Sequence, residues 1–402
     1  MTSLYLCYFP LSEPLVQTQV IPYLSALAAE GIGIVLLTFE PNPPRGARKE
    51  EIRERLARQG IAWYCLRYHK RPSLPATLWD VLTGTVYAAC LIQRHRVSVV
   101  HARSHVPAAM AFLLRQLFGV KMLFDVRGLL AEEYEDAGVW RRNDIKFKLT
   151  KRMERKCLDA ADAIVVLTER VKTMLRDGSG INGTPMAVIP CCVDVDKFRV
   201  DAQLAQVLRE QLGLRDKTVL LYLGKLGSWY MAAEMVDFFA VACEMIPNLH
   251  FLILTQSDHA LARVELARRG IGAEAFTLTT VAPDDVPLYL TAADVGISFI
   301  RPCFSKIASS PTKIGEYLAA GLPIVSNTGI GDCDALLREN NVGVLVEEFT
   351  DKAYRAAVAQ LQNLLADREN VRRRCRAVAE QHLSLQHVGR KRYRAVYDLL
   401  RS

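Results

Sequence analysis

Short apolar runs rich in β-branched residues alternate with longer helix-patterned segments from one end of the chain to the other, and this alternation restricts the fold more than any other feature. In the first half LYLCYF, IGIVLLTF, VSVVH, VKMLFDV and AIVVLT read as buried strands, with helical patterns over residues 20–30, 77–94 and 107–118. The second half restarts the pattern. TVLLYLG, LHFLILT, VGISFI, LPIVSN and VGVLV read as strands, with helices over 232–245, 258–269 and 284–292. Such alternation predicts an α/β protein built on parallel, doubly wound sheets.

At 402 residues the chain exceeds one ordinary core, so two Rossmann-like domains are expected. The junction is placed in MAVIPCCVDVDKF (186–198), which gives domains over 1–197 and 198–385. A basic amphipathic helix over 388–400 makes residues 386–402 a segment expected to pack back on the first domain. In a doubly wound sheet the ligand sits outside the carboxyl ends of the strands. Two such domains facing a central cleft would therefore carry their chemistry on residues that follow strands.

Half of the residues are hydrophobic and 23% are charged, the profile of a soluble globular protein. No apolar run approaches the ~20 residues of a membrane span, and a cytoplasmic protein without a secretion signal is expected. The 10 cysteines lack C-x-x-C spacing and read as small apolar filler in a reducing compartment. The net charge of +8 is modest, but residues 141–156 (RRNDIKFKLTKRMERK) set eight Lys or Arg against only Asp144 and Glu154. That segment is either a solvated helix face or a contact for anionic lipid at the inner face of a membrane, or for a lipid-linked substrate. No recognition motif accompanies the charge, so nucleic acid is not an expected partner.

The segment SSPTKIGEYLAAGLPIVSN (309–327) is the richest in chemistry. Ser310 is a good N-cap and Pro311 a good first helical residue, which predicts a helix over 311–320 that stops at Gly321. Its N-terminal amides suit a phosphate, and Lys313 adds a full charge. Glu316 would repel a phosphate and calls for hydroxyl donors such as vicinal sugar hydroxyls. Gly315 would admit a ligand close to the backbone. Read alone, Lys313 and Glu316 fit equally a surface i,i+3 ion pair.

This segment resembles the donor-nucleotide segment of glycosyltransferase family 4 and its relatives of the two-domain GT-B fold. The likeness extends in order through EPLVQTQVIPYLSALAAEGIGIVLLTFE, VVHARSH, LFDVRG, ADAIVVLTERV, VIPCCVDVDKF, VLLYLGKLG, ADVGISFI and GIGDCDALLRENNVGVLV. The resemblance implies that Glu316 accepts hydrogen bonds from ribose hydroxyls. It implies that Lys313 and the amides of Ser310, Pro311 and Thr312 (proline supplying no N–H) face a diphosphate.

The chain also departs from that pattern. Many relatives have two glutamates separated by seven residues, and with Glu316 as the later one Ala308 stands in place of the earlier, which often contacts the donor sugar. The usual Gly-Arg, then Lys, reads Gly224-Lys225, then Tyr230, so Lys225 is either a phosphate ligand or a loop lysine. Lys306 and Arg301 are further candidate cations. PLSEPLVQTQV replaces a Gly-Gly loop, leaving Gln17 and Gln19 to line the cleft or to be plain helix surface. His101 and Arg103 follow one strand and are acceptor-side candidates. Asp125 and Arg127 end another, as catalytic cleft residues or as a buried pair.

The resemblance implies a retaining glycosyltransferase that moves a sugar from a nucleotide diphosphate sugar to a saccharide, lipid-linked or small-metabolite hydroxyl. No metal and no cofactor are expected, charge on the leaving diphosphate being met by Lys313 and Lys225. A sugar-nucleotide epimerase and a non-catalytic sugar-nucleotide-binding protein of the same fold are the alternatives.

Overall fold

The computed structural model describes residues 1–181, 183–256 and 259–401. Asp258, the expected start of one helix, lies outside the described residues, as does residue 402. The chain divides into two compact units. One comprises Met1–Pro190, Ile307–Ser309 and the chain from Val388 onward; the other comprises Cys191–Lys306 and Ser310–His387. Residues 191–197 and 386–387 thus group with the second unit, and 307–309 with the first.

The first unit holds a seven-stranded parallel sheet. Its strands are β1 (Thr2–Cys7), β2 (Gly33–Glu40), β3 (Ile61–Arg67), β4 (Val99–Arg103), β5 (Lys121–Val126), β6 (Ala163–Val166) and β7 (Met186–Val188), in spatial order 3-2-1-4-5-6-7. The order reverses between β1 and β4, the switch point of a doubly wound sheet. Strands β1, β4 and β5 are central and almost wholly buried, because helices cover both of their faces. Leu6, Phe124, Met110 and Leu114 sit in this core, and each such side chain contributes roughly 1.5–3 kcal/mol on full burial. The register sets Tyr5 beside His101 and Arg103 beside Asp125, so these four side chains share one face.

The C-terminal helix Lys391–Leu399 completes that face. Tyr393 and Tyr397, four residues apart, lie on one stripe and are both buried. Arg390 and Arg394 pair with Glu30, and Arg392 donates to the Val188 carbonyl at 2.7 Å. Helix Ser73–His95 is long and apolar enough to cross a membrane by length and composition, yet it packs on the sheet through Ala76, Ala88, Leu91 and Ile92.

The second unit holds a six-stranded parallel sheet: β8 (Thr218–Leu223), β9 (Leu249–Leu254), β10 (Phe276–Thr279), β11 (Val295–Ser298), β12 (Ile324–Asn327) and β13 (Gly343–Val346), in order 10-9-8-11-12-13. Its switch point lies between β8 and β11. Strands β3 and β10, absent from the expected set, are the edge strands at one end of each sheet, and their half-buried patterns lack the continuous apolar runs of the central strands.

Candidate functional site

In the second unit, helix Thr312–Ala319 is docked at the switch point by Tyr317. Its hydroxyl accepts from the Leu223 amide at 2.8 Å and donates to the Ile297 carbonyl at 3.3 Å, bridging the ends of β8 and β11. Gly296 makes room for this ring, since a Cβ there would meet Tyr317 Cδ2 at 2.5 Å. Tyr317 was not legible as a site residue. An aromatic one turn after a lysine on a strand-following helix reads as core, and core is part of what it is.

One turn earlier, Lys313 is turned inward and buried rather than forming a surface pair with Glu316. Its ammonium donates to Tyr222 Oη at 3.2 Å and lies 4.3 Å and 3.9 Å over the rings of Tyr222 and Tyr230. Lys313 makes no salt bridge among the described residues. Burial therefore pulls its pKa down to about 7, with Glu316 opposing the shift. Glu316 is partly buried, and burial pushes its carboxyl up to about 7 against the pull of Lys313. Each group sits near neutrality, a costly state for a cation unless an anion completes it.

Gly224 follows β8 directly beside this ammonium. Its φ of +126° favours glycine, and a Cβ there would stand 3.1 Å from Lys313 Nζ. Lys225 is exposed, and its carbonyl accepts from the Tyr222 hydroxyl. The loop after β8 is pinned to the segment after β11: Arg301 N–H donates to the Trp229 carbonyl at 2.8 Å, and Met231 N–H to that of Phe299 at 3.1 Å. Trp229 carries two cations, Lys306 at 3.8 Å and Arg301 at 4.7 Å from its ring centre. The sequence signal for these aromatics is their place immediately after a strand and two glycines.

Three expectations about this segment are corrected. Pro311, not Ser310, occupies the N-cap, and helix begins at Thr312. Ser310 instead accepts from the Cys191 amide at 3.0 Å. Gly315 faces protein rather than ligand, because a Cβ there would meet Val193 Cγ1 at 3.0 Å. Ala308 is buried in the apolar core of the first unit, where the Thr168 hydroxyl donates to the neighbouring Ile307 carbonyl at 2.8 Å.

In the first unit Asp125 is fully buried at the end of β5. Its Oδ2 accepts from Tyr393 Oη at 3.1 Å and lies 3.6 Å from His101 Nε2 and 3.7 Å from Arg103 Nη1; its Oδ1 lies 3.5 Å from Arg127 Nη1. Burial alone would raise its pKa, but Arg127, the His101 contact and Arg103 outweigh it and hold the carboxyl far below the usual range. Burial lowers the His101 pKa, and its Nδ1 lies 3.0 Å from the Tyr397 hydroxyl, which in turn meets Ser3 Oγ at 2.9 Å. Neither His101 nor Asp125 has surface for a substrate. This is the buried-pair alternative, enlarged to a network.

Arg103 is also buried, and Arg127 is the more exposed member of the cluster. Gln17 is exposed on the short helix Pro14–Gln19 and donates to the Leu11 carbonyl at 2.5 Å, whereas Gln19 faces inward and is buried. No group of three or more His, Cys, Asp or Glu gathers as metal ligands would among the described residues.

Glycosyltransferase Family 4 matches residues 16–197, and Glycosyl transferases group 1 matches residues 217–364. The D-inositol 3-phosphate glycosyltransferase of Corynebacterium urealyticum is 24% identical, over 82% of this chain and 73% of its own. A glycosyltransferase from Rickettsia africae superposes with a TM-score of 0.77 at 16% identity, covering 100% of this chain and 99% of its own. HepE from Anabaena, solved in complex with UDP, superposes with a TM-score of 0.72 at 14% identity, covering 99% and 100%.

Proposed function

This chain belongs to glycosyltransferase family 4 with the two parallel-sheet domains of the GT-B fold, and we propose that it moves a sugar from a nucleotide diphosphate donor to an acceptor hydroxyl. The observation that carries the donor reading is Lys313: a buried ammonium with no salt bridge among the described residues, at the switch point of a doubly wound sheet, beside a glycine that lets a ligand approach. HepE was solved with UDP and with UDP-glucose, which makes UDP the first nucleotide to test.

In this reading the diphosphate meets Lys313 and the N-terminal amides of helix Thr312–Ala319, and restores the lysine's charge. Lys225, and Lys306 with Arg301, add positive potential outside the strand ends. Glu316 accepts from the ribose hydroxyls and becomes anionic as it does so. The anomeric C–O bond to phosphate breaks, the bond to the acceptor oxygen forms on the same face, and the leaving phosphate takes the acceptor proton. Retention then needs no protein nucleophile, and the cations meet the growing phosphate charge without a metal. On the acceptor side Arg127 is the group to meet substrate, with Asp125, His101 and Arg103 positioning it. A lipid-linked acceptor, reached through anionic-lipid contact at residues 141–156 of a cytoplasmic enzyme, fits the charge of that segment.

Calorimetry with UDP, followed by transfer assays over a panel of UDP sugars, tests this reading. Glu316→Gln is expected to weaken UDP binding by about 1.5–3 kcal/mol, the worth of charge-assisted hydrogen bonds. Unchanged affinity would remove Glu316 from the site. The buried Ala308, where a sugar-contacting carboxylate is otherwise expected, favours a second reading as a sugar-nucleotide binder without turnover. Binding without nucleotide release under any acceptor would establish it, and release together with a changed sugar in the absence of acceptor would mark an epimerase.

A further inference from the structure

Three helices lie side by side on one face of the first sheet: Ser73–His95, His105–Phe118 and Ile145–Ala160. Each begins at the carboxyl edge of the parallel strands and runs back along them. A helix packed on a sheet buries one stripe and is expected to turn a polar stripe to water. Helix Ser73–His95 does the reverse. Leu78, Trp79, Leu82 and Val86 fall within an arc of about 100° and stand 56%, 55%, 57% and 60% exposed. The helix's one acidic residue, Asp80, is turned inward, where it accepts from the Tyr8 hydroxyl at 2.6 Å and meets His69 Nδ1 at 2.6 Å.

Helix Ile145–Ala160 adds charge to the same layer. Ile145 and Leu149 are 77% and 49% exposed, and they share a face with exposed Lys148, Arg152 and Lys156. Its acids do not cancel this. Glu154 is buried against His105 and Lys151, and Asp159 pairs with Arg155 at 2.9 Å. Exposed Lys70 and Arg71 precede the first helix. Tyr134 is stacked on Trp140 at 4.2 Å in the segment that leads into the third helix. The starts of the first and third helices belong to one edge of the sheet, because both follow the carboxyl ends of its parallel strands.

We infer that this edge docks on an anionic bilayer surface, with Leu78, Trp79, Leu82 and Ile145 entering the headgroup boundary and Lys148, Arg152 and Lys156 meeting lipid phosphates. Exposed apolar side chains flanked by cations are what the interface of an anionic membrane accepts. A second copy is the poorer occupant, because a two-fold contact through this face would bring together two copies of the same basic stripe of Lys148, Arg152 and Lys156. The inference deepens the lipid-contact element of the proposed function and rests on it, while standing apart from donor binding.

The test is flotation of the full-length protein with vesicles of phosphatidylcholine alone or with phosphatidylglycerol added, alongside quenching of tryptophan fluorescence by brominated acyl chains. The wild type floats only with phosphatidylglycerol, and its fluorescence is quenched. Trp79→Phe removes the quenching. The pairs Trp79→Glu with Leu82→Glu, and Lys148→Glu with Arg152→Glu, each lower binding by about 10-fold or more, at roughly 5-fold per basic charge. A thermal shift with UDP, measured on every variant, separates outcomes: a shift retained shows an intact fold, and a shift absent even in the wild type counts against the donor reading alone. Absence of flotation by the wild type overturns the inference. So does anionic binding in which Trp79 stays unquenched, or a concentration-dependent dimer that Trp79→Glu with Leu82→Glu abolishes.

Discussion

The ammonium of Lys313 rests on Tyr222, 4.3 Å above its ring and 3.2 Å from its hydroxyl, an arrangement that holds a cation in place without neutralising it. A carboxylate partner would have made the lysine a structural strut. Two phenol rings keep it available to an anion.

Lys313→Met is expected to separate stability from binding. Removing a buried charge that makes no salt bridge among the described residues stabilises the free protein by about 1–3 kcal/mol, by analogy with buried ion pairs replaced by apolar side chains. The same change abolishes the thermal shift given by UDP. Chemical denaturation with and without UDP checks both halves, and a destabilised variant that still binds UDP would assign Lys313 to the core.

Gly224→Ala imposes a side chain at φ +126° and 3.1 Å from the Lys313 ammonium. The strained backbone costs about 1–3 kcal/mol. The larger effect falls on function, because the lysine must move: UDP affinity drops at least ~10-fold, read by calorimetry, while the fold persists by circular dichroism.

Donor binding should take up a proton above neutrality. Lys313 has its pKa near 7 in the free protein and a higher one beside a diphosphate, so at pH 8 binding protonates it. Glu316, also pushed up to about 7, is already anionic at pH 8, and the Tyr222 and Tyr230 hydroxyls, raised by burial, stay neutral. Affinity therefore falls as pH rises above 7, by up to ~10-fold per unit until the pKa of the complex is reached. Calorimetry at pH 8 in buffers of different ionisation enthalpy measures the proton count, and a count of zero in the wild type would remove Lys313 from the diphosphate.

Asp125→Asn strips the charge that balances Arg103 and Arg127 in a buried site, at a cost of about 3–5 kcal/mol. The sign with pH follows from the depressed carboxyl. Its stabilisation is fully present above the ordinary value of 3.8 and is lost as pH falls through the lower folded value. Denaturation curves should show the wild-type advantage over the Asn variant shrinking below about pH 4, and a constant difference would place the stabilisation elsewhere.

The central strands were legible because burial on both faces demands continuous apolar runs, as in TVLLYL of β8 and in LHFLIL of β9. Edge strands escape that demand. The sequence FTLT of β10 is intermediate in exposure at every position, and IAWYCLR of β3 mixes buried and half-buried residues, so neither announces itself. Gly224, Lys313 and Glu316 stood out because each follows a strand in a recognisable segment. What could not be read was direction. Gly315 turns its bare face to Val193, Gln19 turns inward, and His101 and Asp125 point into the body of the sheet, because the register of β4 on β5 and a helix nearly 300 residues away decide where those side chains go. Tyr222 and Tyr230 belong to the same class, their value lying in a lysine that approaches them from far along the chain.

Tyr393 and Tyr397, whose hydroxyls close the network over Asp125 and His101, lie 268 and 296 residues downstream of those partners. During synthesis the first sheet must therefore wait, its buried ionic face uncapped, while the whole of the second unit leaves the ribosome. Of the two units, the one whose sheet is synthesised earlier is thus completed later, and a nascent chain that ends just short of Tyr393 is the one a chaperone would have most reason to hold.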